Sequence, residues 1–232
     1  MRLRHELPLY GEALLRLFYP SLCASCSHLL ALEERGLCET CLKNLNPLKL
    51  EPSEEKIRIP LSNAKEGWAI FRYEGLVKDL LHKVKFERRR ELLRIFYPQI
   101  AYFLSRRAEF TSYDCIIPVP LDPQRRLERE FNQSDLIAQQ VHRLLGIPHL
   151  LKRTIRKRHS MLPQSLLGRE ARRMNVGHAF RVLHPQNIRG RSILLVDDIF
   201  TTGATIEEVS KILRAAGAAR VGYLTLARTM AN

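Results

Sequence analysis

From Ser192 to Leu226 the chain follows a pattern that few architectures accommodate. Ile193 to Val196 is an unbroken run of Ile, Leu and Val, the composition of a parallel strand buried on both faces. A polar segment, Asp197-Asp198-Ile199-Phe200-Thr201-Thr202-Gly203-Ala204-Thr205, interrupts it. From Thr205 to Ala216 the spacing predicts a helix, with Ile206, Val209, Ile212 and Leu213 on one face and Gly217 at its C-terminal stop. Val221 to Leu226 then supplies the next strand. Strand, loop, helix and strand make a βαβ unit, and ligands gather at the carboxyl ends of such strands. The predicted class is α/β, a mainly parallel sheet with helices on both faces.

The interrupting loop has the chemistry of an anion site. Thr201, Thr202 and Thr205 offer hydroxyls, Gly203 lets the backbone curl closely about an anion, and the amides of Ala204 and its neighbours open the helix toward the same spot. Asp197 and Asp198 would repel a phosphate that they faced. They fit instead as acceptors for ribose hydroxyls, or beside Mg²⁺, a hard cation that takes oxygen ligands. Alone, the two acids read equally well as helix N-terminal charge. A P-loop is excluded because no Gly-Lys-Ser or Gly-Lys-Thr occurs, and no Gly-x-Gly-x-x-Gly follows a strand.

A second short apolar run, Cys115 to Leu121, ends in Pro118 and Pro120. Arg125, Arg126 and Arg129 follow it, then Phe131-Asn132-Gln133, then a helix with Leu136, Ile137, Gln140, Val141 and Leu144 on its face. Arginine forks after a strand end suit a pyrophosphate, since each engages oxygens bidentately. A solvated basic loop explains any one of them as well. From about His149 to Phe180 the chain reads as an irregular flap.

Four of the five cysteines form two knuckles, Cys23-x-x-Cys26 and Cys38-x-x-Cys41, with eleven residues between. Each knuckle turns tightly enough for both thiolates to reach one ion at ~2.3 Å, and four thiolates leave no open position. The pattern predicts a structural Zn²⁺ site, with His28 a bystander; a redox pair or incidental cysteines match two such knuckles poorly. Cys115, within an apolar run, reads as a small buried hydrophobe. A zinc module of this size has no core of its own, so the metal supplies folding energy. The expected organisation is an N-terminal helix and zinc module over residues 1–48, a linker over 49–61 holding Pro52 and Pro60, and the main domain over 62–232.

No apolar run approaches the ~20 residues needed to cross a bilayer. Leu7 to Pro20, broken by Pro8, Glu12 and Arg16, reads as a short amphipathic helix and not a secretory signal, so a cytoplasmic location is expected. With 38 Lys and Arg against 24 acidic residues the net charge is +14, a field that attracts polyanions. Two segments carry much of it. Lys78 to Arg94 includes Lys83, Lys85, Arg88, Arg89 and Arg90, with His82 and Phe86 interleaved; Lys152 to Arg158 includes Lys152, Arg153, Arg156, Lys157 and Arg158. Such runs suit a nucleic-acid backbone with aromatic stacking. Leu76, Leu80, Leu81 and Val84 at helical spacing make the first run equally the solvated face of a core helix.

The acidic pair and Thr-rich loop together resemble the phosphoribosyl-pyrophosphate (PRPP) motif of type I phosphoribosyltransferases. By that resemblance Asp197 and Asp198 hold the ribose 2′ and 3′ hydroxyls, Thr201 to Thr205 hold the 5′-phosphate, and Pro120, Arg125, Arg126 and Arg129 belong to a pyrophosphate loop, with Mg²⁺ accompanying PRPP. The knuckles behind Leu17-Phe18-Tyr19-Pro20, Pro118-Val119-Pro120, Phe131-Asn132-Gln133, Pro163-Gln164, Arg173-Met174-Asn175-Val176, Ala179-Phe180 and Thr225-Leu226-Ala227-Arg228 narrow the resemblance to the ComF family. That family pairs a four-cysteine zinc module with a phosphoribosyltransferase-like domain and is associated with natural competence. The resemblance implies a PRPP-binding protein that handles single-stranded transforming DNA during import. Two alternatives stand beside it: an active transferase using a base- or nucleotide-like acceptor, and a scaffold docking a DNA translocase through the zinc module. The second basic run, with Arg169, Arg172 and Arg173, is in that picture either a DNA contact or a hood over PRPP. This chain departs from the family twice, with Glu130 where a Gly usually precedes Phe-Asn-Gln and Ser27 where a Gly usually follows the first knuckle. A backbone requiring positive φ at Glu130 would strain the side chain there; Ser27 is the milder change, since Ser tolerates a tight turn.

Overall fold

The structure, a computed structural model of the chain, describes residues 19–45, 61–64, 66–157 and 179–230. The Ile193–Val196 run becomes part of the central strand of a five-stranded parallel sheet, ordered β1-β7-β6-β2-β3. Its strands are β1 (Glu66–Arg72), β2 (Cys115–Pro118), β3 (His149–Leu150), β6 (Ser192–Phe200) and β7 (Arg220–Arg228). Alternation along β6 divides the core. Leu194 and Val196 join one apolar cluster, Ile193 and Leu195 the other.

Helix α1 (Glu39–Lys43) lies in the cysteine segment; the first cluster receives α2 (Gly75–Phe86), α3 (Tyr97–Ser105) and α5 (Gln133–Leu145), and the second receives α6 (Ala204–Ala215). On α6 the spacing places Ile206, Val209 and Leu213 inside, and Gly217 ends the segment at φ +98°. On α2 the buried stripe is Val77, Leu80, Leu81 and Val84, with Leu76 only partly covered. α5 departs from expectation at its end. It buries Ile137, Ala138 and Val141, but Leu144 is exposed while the next residue, Leu145, packs against the first cluster, and Gly146 stops the helix at φ +64°.

β1 has no counterpart in the sequence reading. Its segment, Glu-Gly-Trp-Ala-Ile-Phe-Arg, sits at a sheet edge yet is buried from Gly67 to Phe71. Aromatic contacts cover it: Trp68 meets Phe110 at 4.8 Å between ring centroids, and Phe71 meets Phe96 edge-on at 5.3 Å. Gly67 is dictated by close approach, since a Cβ there would fall 2.0 Å from the Tyr223 ring.

The expected irregular flap is corrected at both described ends. His149–Leu150 is β3, paired parallel with β2. Ile155–Lys157 (β4) and Phe180–Val182 (β5) form a separate antiparallel ribbon. Backbone pairing satisfies polar groups that an irregular chain would have left to water. Residues 158–178, including Arg158, Pro163, Gln164, Arg169, Arg172 and Arg173, lie outside the described residues, as do 1–18 and most of the expected linker.

The cysteine segment packs onto the first core cluster. Cys23, Ala24, Leu30, Leu37, Cys38 and Leu45 are buried together with Leu92, Leu93 and Ile95. Gly36, at φ +77°, leaves the room that Ile95 occupies, its Cδ1 only 2.9 Å from where a Cβ would stand. Among the described residues no helix is long and apolar enough to cross a membrane.

Candidate functional site

β6 outlasts one of its neighbours. β2 pairs with it only as far as Pro118 opposite Val196, with a last hydrogen bond from Val119 N to Val196 O at 2.9 Å. Beyond that point β6 keeps, among the described residues, only β7, pairing Asp197 with Thr225 and Ile199 with Ala227. Asp197 and Asp198 therefore fall where a buried strand has lost one flank, the crevice in which α/β sheets take ligands.

Neither carboxylate is bare. Asp197 Oδ1 accepts from Ser134 Oγ at 2.8 Å and from the Asp198 amide at 2.9 Å. Desolvation, and then the charge of Asp198, push the Asp197 carboxyl up to about 7 against these bonds. Asp198 Oδ2 lies 2.8 Å from Lys85 Nζ, both side chains largely buried.

Ser134 owes its place to the start of α5. Asn132 is the N-cap, its Oδ1 accepting from the Ser134 amide at 3.2 Å while its Nδ2 donates to Val119 O at 3.0 Å. The Phe131-Asn132-Gln133 triplet thus ties the end of β2 to the acidic pair. Gln133 is fully buried, and its amide has no partner among the described residues.

The threonine segment turns tightly into α6. Gly203 is the N-cap at φ +79°, and a Cβ there would sit 2.8 Å from Phe200 Cζ and 3.2 Å from Leu61 Cδ2. Gly203 has no side chain to cap the helix, and Thr202 Oγ1 accepts from the Ala204 amide at 3.4 Å. Thr201, Thr202, Ala204 and Thr205 are exposed. The first turn is braced from behind, Glu207 accepting from Asn63 Nδ2 at 2.6 Å. An open loop over an N-terminus with no side-chain cap can take an anion.

Pro120 precedes a short helix, α4 (Pro123–Arg129), so Arg125, Arg126 and Arg129 stand on a helix and not in a loop. Asp122 caps it, accepting from the Gln124 amide at 3.0 Å. Arg126 is exposed, and Arg129 Cζ lies 5.6 Å from the centroid of the Phe86 ring. α4 ends at Glu130, with φ +64°. Both departures from the family pattern thus fall on left-handed backbone, Ser27 having φ +60°. Arg88, also left-handed at φ +57°, pairs with the Glu130 carboxylate.

The expected nucleic-acid residues divide. Lys83 Nζ donates to Ala24 O in the cysteine segment, and Lys85 belongs to the acidic pair. Arg88 meets Glu130 and Arg89 meets Glu91 at 3.0 Å, while Arg90 is exposed. In the second run Lys152, Arg153 and Arg156 are exposed, but Lys157 lies 3.8 Å from Asp122 and over the Phe180 ring. Sequence reasoning missed Ser134 and misplaced Lys85. The signal for Lys85 was its position four residues after Leu81, on the shoulder of the buried stripe, where a lysine needs a partner.

The four cysteines converge, all their Sγ atoms within 4.8 Å of one another and Cys26 and Cys38 only 3.7 Å apart. Bonds of ~2.3 Å to a tetrahedral ion require sulfurs roughly 3.8 Å apart, so the set can hold a metal. Burial would raise the Cys23 thiol, but the amides of Cys26, Cys38 and Ser25 outweigh it and bring the group down to about 6. Ser25 helps Cys41, yet burial and the neighbouring cysteines push it up to about 12. Four sulfurs this close ionise together only around a cation.

A phosphoribosyl transferase domain matches residues 134–232. Competence protein F of Haemophilus influenzae is 31% identical over 237 residues, 91% of this chain and 98% of its own. DNA utilization protein YhgH of Escherichia coli K12 is 31% identical over 228 residues, again 91% and 98%. Competence protein ComFC of Streptococcus pneumoniae is 35% identical over 162 residues, 69% of this chain and 67% of its own.

Proposed function

The chain belongs to the competence protein F family, and on that premise we propose that it binds PRPP and handles single-stranded transforming DNA during import. The observation that carries the proposal is the juxtaposition at the end of β6: two carboxylates beyond the reach of β2, and an open threonine turn opening α6. The relatives' names, competence protein and DNA utilization protein, favour this reading over an active transferase or a translocase scaffold.

In the proposed arrangement Thr201, Thr202 and Thr205 and the first amides of α6 take the 5′-phosphate, with Gly203 allowing the approach. Asp197 and Asp198 accept from the ribose 2′ and 3′ hydroxyls. Ser134 orients Asp197, and Lys85 neutralises Asp198 until the ribose arrives. Pro120, Arg126 and Arg129 flank the pyrophosphate end. The oxygen donors of the acidic pair would suit the Mg²⁺ that accompanies PRPP, which would supply charge neutralisation there. Zn²⁺ fits the four thiolates as a structural ion. DNA phosphates meet the exposed basic residues Arg88, Arg90, Lys152, Arg153 and Arg156, and the work is placed in the cytoplasm.

The test is genetic. In a naturally transformable host lacking its own member of the family, the wild-type chain should restore transformation and the Asp197→Ala/Asp198→Ala chain, expressed to the same level, should not. Full rescue by the double variant would overturn the proposal.

A further inference from the structure

We propose that Phe86 is the stacking platform for an unpaired nucleobase of single-stranded DNA; this rests on the DNA-handling reading above. Core packing does not explain its position. The buried residues of α2 are Val77, Leu80, Leu81 and Val84, and Phe86, two residues beyond Val84, falls on the opposite side of the helix. Its surface is 64% exposed. An exposed phenylalanine alone is unremarkable in a protein, but this ring is held in place. His82, one turn earlier, lies 4.4 Å from it between centroids at an interplanar angle of 37°, and Arg129 approaches from α4. A ring fixed by its neighbours loses little conformational freedom when a base settles on it.

The surroundings suit a nucleic-acid strand. Beyond Glu87 come Arg88, Arg89 and Arg90, which can engage phosphates on either side of a stacked base. Among the described residues Arg88 pairs with Glu130, both side chains more than half exposed, a contact that a phosphate can displace. Lys85, adjacent in sequence, is the ion-pair partner of Asp198, so the residue beside the platform reaches the proposed ribose site. A duplex would not fit this description, because its base faces are already stacked; only an unpaired base offers one.

The experiment uses the full zinc-loaded chain and two probes, oligo(dT) and an abasic strand of equal length. Wild type should prefer oligo(dT), and Phe86→Leu should lose roughly ten-fold in oligo(dT) affinity while its affinity for the abasic strand stays unchanged. The chain has one tryptophan, Trp68, which is buried. In Phe86→Trp the new indole is therefore the exposed one, and its fluorescence should be quenched as oligo(dT) saturates. Melting temperature and Mg²⁺-PRPP affinity should match wild type in both variants. Equal affinity of wild type and Phe86→Leu for oligo(dT), or an indole indifferent to it, would overturn the platform and leave DNA handling standing. A wild-type chain that binds neither strand would overturn both.

Discussion

Lys85 Nζ stands 2.8 Å from Asp198 Oδ2, with 16% and 12% of the two side chains exposed. The lysine comes from α2 and the aspartate from β6, so this pair joins a helix of the basic segment to the proposed ribose site. Removing one partner strands a charge beside Asp197. Lys85→Met should destabilise the chain by about 2–4 kcal/mol, and Lys85→Met/Asp198→Asn should recover most of that loss. Urea unfolding of the single and double variants measures the difference; an unchanged midpoint in Lys85→Met would refute it.

Asp197 gives the stability a pH dependence of unusual sign. Its carboxyl titrates at about 7 in the folded protein, above the ~3.9 of an unfolded chain. The folded state therefore holds more protons between those values, and the Asp197 contribution declines as pH rises from about 4 to 7, then levels off. Asp197→Asn keeps the oxygen that accepts from Ser134 and removes the charge. It should stabilise the unliganded chain by on the order of 1–2 kcal/mol at pH 8 and by almost nothing at pH 4. Thermal melts at the two pH values decide it.

Glu130 and Ser27 hold left-handed backbone, at φ +64° and +60°. That conformation costs an L-residue roughly 1 kcal/mol and glycine almost none. Ser27→Gly should raise stability by up to about 1 kcal/mol. Glu130→Gly should exceed Glu130→Ala by about 1 kcal/mol, since both lose the Arg88 contact and only the alanine keeps the strain. Paired denaturation curves for the glycine and alanine variants check this.

The cysteine cluster should behave as part of the main core. Cys23 and Cys38 are buried in the cluster that contains Leu92 and Phe96. Cys26→Ser should abolish binding of one zinc per chain and lower the melting midpoint of the whole chain by roughly 5 °C or more. Cys115→Ala, at a thiol distant from the cluster in its own strand, should leave zinc content unchanged. Metal analysis with parallel melts separates the two outcomes.

How much of this was legible beforehand depended on what each residue answers to. Ile193–Val196, the Asp-Asp pair and the α6 stripe follow local rules of periodicity and turn chemistry, and they lie where those rules put them. β1 escaped because Glu66 and Gly67 dilute its pattern, and its burial comes from Phe96 and Phe110, which lie more than twenty residues onward. The assignment of Lys85 to DNA followed composition, which counts charges without knowing their partners. Its pairing with Asp198 is a tertiary event between residues more than a hundred positions apart. Glu130 ran the other way: the substitution for glycine raised the question of positive φ, and the backbone adopts it.

The central claim is that the acidic pair and the threonine turn form a working PRPP site. Isothermal calorimetry of PRPP with Mg²⁺ tests it most directly, comparing wild type with Asp197→Ala/Asp198→Ala at equal zinc content. Saturable one-to-one heat in the wild type, weakened at least ten-fold in the double variant, is the expected result. Equal binding by both proteins, or none by the wild type, would contradict the account.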